Sequence, residues 1–128
     1  MYATASQLEA YQTTQKTTLT GRDLEASVLT KAAIMLKKCR DNWEVDDRAS
    51  SLEDALKFNQ RIWSIFQGEL IKEDNPLPRK IKEDILSLSI FLDKKILDVM
   101  AFPEPEKLDG IININLNIAA GLRRNSGH

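Results

Sequence analysis

Apolar residues recur at three- and four-residue steps through most of the chain, in blocks separated by charged or proline-bearing breaks. The first block, residues 4–16, sets Leu8 and Tyr11 on one side and predicts a short helix, followed by a threonine-bearing linker over 16–19. Thr20 and Asp23 then stand at the N-cap and N3 spacing of a capping box. They open a helix expected to reach about Asn42, with Leu24, Val28, Ala32, Met35, Leu36, Cys39 and Trp43 as its apolar face. After a charged loop at 45–49, Ser50 and Glu53 repeat the capping spacing and predict a helix over about 51–72. There Leu52, Ala55, Leu56, Ile62, Trp63, Phe66 and Leu70 share one face, which Phe58 and Ile65 widen to about half the circumference, well beyond the ~100° stripe of an ordinary surface helix. This third helix is therefore expected to be central, with Asn59 near the middle of its apolar face.

Residues 73–78 (EDNPLP) end that helix, because residues before proline are pushed away from helical angles. Pro78 suits a first helical position, and the next helix is predicted over about 78–100. Its main stripe is Ile81, Ile85, Leu88, Leu92, Ile96 and Val99; a second, Leu86, Ile90 and Leu97, lies on nearly the opposite side. Residues 102–106 (FPEPE) stop it. Over 112–118 apolar residues alternate strictly with others, three of them Asn, which is a strand pattern. Asn is a poor strand former, however, and a lone strand has no partner here. Read as a helix, Leu108, Ile111, Ile112, Ala119 and Leu122 align with Asn115 inside the apolar arc and Gly121 near the end; helix is the favoured reading. The expected fold is all-α: one compact domain over 1–128 of about five helices, with 1–9 and 123–128 as flexible ends.

Composition agrees. The chain has 128 residues, only five Gly and four Pro, and uses Val three times, which disfavours turn-rich β architectures. Area scaling lets a domain of this size bury about two-thirds of its surface without a disulfide or metal. Charge excludes more. Residues 1–64 carry nine basic and nine acidic groups, residues 65–128 nine and ten, so neither half is a basic arm or an acidic tail. Direct nucleic-acid binding, which rests on phosphate neutralisation, is not expected. With one Cys and one His the chain cannot build a Cys/His zinc site or a nucleophile–histidine pair, so no enzyme and no cofactor are expected. No apolar stretch approaches the ~20 residues of a membrane span, and no secretory signal pattern is visible, so a soluble, cytoplasmic protein is expected.

The remaining polar residues divide by context. Asp46/Asp47, Glu53/Asp54, Glu73/Asp74 and Glu83/Asp84 lie in loops or at helix starts, where the dipole favours acidic groups, so capping or solvation is preferred over metal binding. Lys37, Lys38 and Arg40 sit at a helix C-terminus, where cations are favoured for the same reason. Asn59 and Asn115 are the informative ones: a buried amide left unpaired costs about 1–3 kcal/mol. Each is satisfied by a neighbouring helix or loop, or meets the backbone of a partner. Trp63 reads as core, with a partner anchor as the alternative.

The order of these pieces resembles the FlaF family of flagellar biosynthesis regulators. The likeness starts at Ala10, Tyr11, Gln12, Gln15 and Lys16, and continues through Arg22 and Leu24–Glu25–Ala26 to Asp41–Asn42–Trp43. It is densest at Leu56, Asn59, Arg61, Trp63 and Phe66 followed by the EDNPLP run, and ends with Pro105–Glu106–Lys107–Leu108 and Ile118–Ala119–Ala120–Gly121–Leu122. Two positions depart from the family pattern: Phe58, where Tyr is common, which rules out a hydroxyl role there, and Asn117. The resemblance implies a non-enzymatic factor that binds flagellin in the cytoplasm and supports its production and export, alongside the flagellin regulator FlbT. The alternative within the same resemblance is post-transcriptional control of flagellin mRNA, directly or in a complex with FlbT. The candidate partner-binding residues are Asn59, Arg61, Trp63, Asn75, Leu77, Leu86, Ile90, Leu97 and Asn115. The stripe Leu86, Ile90 and Leu97 is covered either inside the molecule, by Leu8 and Tyr11 or by Ile114 and Ile118, or by flagellin.

Overall fold

Four α-helices and one 3-10 turn make up the described chain: α1 (Gly21–Asp41), α2 (Arg48–Leu70), α3 (Arg79–Ala101), the turn Pro105–Lys107 and α4 (Leu108–Ser126). The structure is a computed structural model that describes residues 21–45 and 48–126. Among the described residues there is no strand, so the alternation over 112–118 resolves as helix. The expected helix over 4–16 and the cap at Thr20 lie outside the described residues.

Short connections make sequential neighbours antiparallel. Asn59 on α2 reaches the Ala32 carbonyl on α1, and Gln67 on α2 reaches Asp93 on α3. α4 returns along α1: Arg40 meets Asp109 near one end of the pair, and Arg123 donates to Thr30 near the other. The result is a bundle in which α1 is flanked by α2 and α4 and α3 packs mainly on α2; the α3–α4 edge is the loosest.

The helix expected to be central, α2, contacts α1 and α3 and is hydrogen-bonded to α4 through Trp63 and Asn59. The closest backbone pairing joins α1 to α4, not α2 to its neighbours. The cause is small side chains. Ala26, Ala32 and Ala33 on α1 and Ala119 on α4 are all fully buried, and the register set by the two end contacts brings Ala32 and Ala119 to the same level. Large residues hold helix axes 8–10 Å apart, and alanines allow the near end of that range. Ala26, Leu29 and Ala33 were not on the expected apolar face of α1; they are buried because this helix has two partners.

Several boundaries shift. α2 starts at Arg48, so Ser50 lies within its first turn and is not the cap expected from the Ser50–Glu53 spacing. The start is tied down instead by the turn before it: the Arg48 amide donates to the Val45 carbonyl, and its guanidinium lies 4.5 Å from the centre of the Trp43 ring. Pro78 is the residue before α3 and not its first helical residue. α4 runs to Ser126, past Gly121, near which the helix was expected to end. α3 buries Ile85, Leu92, Ile96 and Val99 as its main stripe requires, with Ile81 packed more loosely.

Candidate functional site

The polar residues singled out on α2 and α4 meet inside the bundle. The indole Nε1 of Trp63 donates to Oδ1 of Asn115 at 2.7 Å, and Asn115 Nδ2 donates to Oδ1 of Asn59 at 2.6 Å. Asn59 Nδ2 in turn donates to the Ala55 carbonyl at 2.9 Å and the Ala32 carbonyl at 3.3 Å. Trp63, Asn59 and Asn115 are fully buried. Trp63 also sets its ring edge-on to Phe66, with centroids 5.6 Å apart and planes at 88°. This relay ties α2 to both α1 and α4. Each amide has a partner inside the chain, so none of the three side chains meets another molecule in this arrangement.

The other sequence candidates separate from this centre. Asn75 organises the break before α3: its Oδ1 accepts from the Leu77 amide at 3.0 Å and its Nδ2 donates to the Glu69 carbonyl at 3.1 Å. That Asx turn drives Leu77 into the core, where it is buried. Arg61 is exposed on α2. Leu86 is half-buried against the core, whereas Ile90 and Leu97 are each 58% exposed. The nine candidates thus do not form one site. Asn59, Trp63, Leu77 and Asn115 are interior, and Leu86, Ile90 and Leu97 form an outward row on α3.

Sequence reasoning missed two exposed apolar residues of this helix. Phe91 is 52% exposed and Met100 37%, and neither belongs to a predicted stripe. The only signal of Phe91 in the sequence is an aromatic falling between two apolar rows.

Among the described residues, electrostatics single out no reactive group. Cys39 is buried as a free thiol, and burial, with the nearby Asp54 carboxylate, pushes its pKa up, which keeps it protonated and unreactive. Arg40, in the basic cluster at the end of α1, hydrogen-bonds Asp109 and Asp41, which raises its pKa and engages its guanidinium. At the other end of α1, Glu25 is pushed up by burial and, more weakly, by Glu69; Arg22 at 3.0 Å partly offsets this. Among the described residues no group of three or more His, Cys, Asp or Glu side chains is gathered as a metal site would require. None of the described helices is long and apolar enough to cross a membrane.

Comparison with known proteins adds a family. The family model described as "Flagellar protein FlaF" matches residues 7–122. No curated protein and no solved structure matches the chain.

Proposed function

The chain belongs to the FlaF family of flagellar proteins, and from that premise we propose that it is a non-enzymatic factor that binds flagellin in the cytoplasm and supports its production and export. The observation that carries this reading is the outer row of α3. Ile90 and Leu97, seven residues apart on one face, are both more than half exposed, and Leu86 extends the row toward the start of the helix. Leaving such side chains in water costs about 1.5–3 kcal/mol each relative to full burial. Unassembled flagellin offers amphipathic terminal segments, and a helix laid along an apolar row is a recurrent mode of recognition. A client that folds on binding loses affinity to its own ordering, which suits a complex that must release at export.

The test is co-purification of the full chain with flagellin and with flagellin lacking either terminal segment. Binding is expected to require a terminal segment and to be lost in Ile90→Asp, with the fold retained. Flagellin recovered equally with Ile90→Asp and wild type would remove the row as the site. The alternative, control of flagellin mRNA with FlbT, predicts RNA affinity that falls steeply with salt. The engagement of Arg40 by two carboxylates weighs against it.

A further inference from the structure

The exposed row on α3 has a spacing and a charge that together restrict what can cover it. Leu86, Ile90, Asp93, Leu97 and Met100 follow one another at steps of four, three, four and three residues. That alternation keeps a seam turned toward one partner helix over two heptads, a length of ~21 Å. Ile90, Leu97 and Met100 are exposed and Leu86 is half-buried. The midpoint of the seam is not apolar: Asp93 stands there, exposed, with apolar residues on both sides. The other three carboxylates of the helix each hold a cation. Glu83 pairs with Arg79 at 3.1 Å, Asp84 with Lys80 at 3.2 Å and Asp98 with Lys107 at 3.0 Å. Among the described residues no lysine or arginine pairs with Asp93, whose contact is a long hydrogen bond from Gln67 at 3.5 Å.

We propose that Asp93 selects the helix that this row takes: an amphipathic segment of another protein, apolar at heptad spacing, with a lysine or arginine opposite Asp93. The proposal rests on the reading of the row as the client surface and adds to it the chemistry of the client segment. Charge carries it. A wholly apolar cover would strip water from the carboxylate and return nothing, which is unfavourable. A cation at that level replaces the lost water with a charge-assisted hydrogen bond. The same charge excludes a second copy of this chain. In a parallel pair like positions face each other, so the two Asp93 carboxylates meet. In an antiparallel pair overlapping along the whole seam the midpoints come to within about one helical turn, and the carboxylates repel again. Asp93 also fixes register. The apolar positions repeat every seven residues, so they tolerate a slip of one heptad. Such a slip would move the partner's cation from Asp93 onto Leu86 or Met100.

Two synthetic three-heptad helical peptides test this against the full chain. Both carry leucine at the seam positions except the central one, which is lysine in the first peptide and glutamate in the second. The wild type should bind the lysine peptide about tenfold more tightly, the scale of exchanging an opposed charge pair for a like one in a partly covered contact. Asp93→Lys should reverse the order. Equal affinity of the wild type for both peptides, or an order that Asp93→Lys leaves unchanged, overturns the proposal. Sedimentation gives an independent reading. Asp93→Leu removes the repulsion and should turn the chain into a dimer, which adding Ile90→Asp dissolves, while the wild type stays monomeric at the same concentration. A wild-type dimer that Ile90→Asp dissolves, or an Asp93→Leu variant that stays monomeric, overturns it. Flagellin co-purification separates this proposal from the reading beneath it. Binding lost in Ile90→Asp but unchanged in Asp93→Lys defeats the selection by Asp93 alone. Binding unchanged in both variants defeats the client surface and, with it, the proposal.

Discussion

The interior of α2 and the outer side of α3 hold opposite kinds of misfit. At the first, polar groups sit in a dry core; at the second, apolar groups sit in water. The interior misfit is resolved within the chain. The Trp63 indole, the Asn115 and Asn59 amides and two backbone carbonyls form a continuous set of donors and acceptors. The outer one is not resolved by the described helices, since Ile90, Phe91 and Leu97 all remain more than half exposed. A buried polar group with every partner in place points to structure, and an exposed apolar row points to a surface that something else covers. Of the two, it is the apolar side of α3 and not the amide-bearing centre that the described helices leave exposed.

The largest expected effect lies in the interior. Trp63→Ala should cost about 3–5 kcal/mol, as for other large buried aromatics, read as the shift in a denaturant midpoint. A variant that melts like wild type would mean the indole is not core and would collapse the contrast between the regions. Asn115→Ala comes next. It strands the Trp63 N–H and the Asn59 carbonyl at once, each worth about 1–3 kcal/mol when left unpaired. A loss of less than half a kcal/mol would show that water or a rearranged amide replaces it.

On the outer side the expected stability change is much smaller. Ile90→Asp should alter stability by no more than about 0.5 kcal/mol, the usual scale for surface sites, while abolishing flagellin co-purification. An unfolded Ile90→Asp would place this residue in the core and merge the two regions. The smallest effect concerns Glu25. Its carboxyl pKa is raised in the folded chain, so the native state holds its proton to higher pH than the unfolded state does. Stability should therefore fall slightly as pH rises from the ordinary glutamate range through the raised value. Glu25→Gln should flatten that slope in a pH series of melting curves, and an unchanged slope would assign it to another group.

Much of this was legible along the chain. The break at 73–78 was visible because Asn and two prolines act locally, through the Asx turn and restricted backbone angles. The main stripe of α3 was visible because one face of that helix has one environment. Asn59 and Asn115 stood out because each interrupts an apolar arc. Their being each other's partner was not legible, since 56 residues separate them and no local rule links the two positions. The alternation over 112–118 was ambiguous for a related reason. Periods of 2 and 3.6 both fit a short run, and only a neighbouring helix decides which face needs to be apolar.

The sequence by itself determined the helical class, the breaks between helices and which residues carry apolar or polar character, because these follow from backbone restriction and from spacing within a few turns. Only the tertiary structure decided that α1 and α4 form the closest pair, since alanines permit close approach but do not name the partner that uses it. It also decided that the amides are internal and that Ile90 and Leu97 face water. Burial is a property of what lies opposite a side chain, and what lies opposite is set by contacts between segments far apart in the chain.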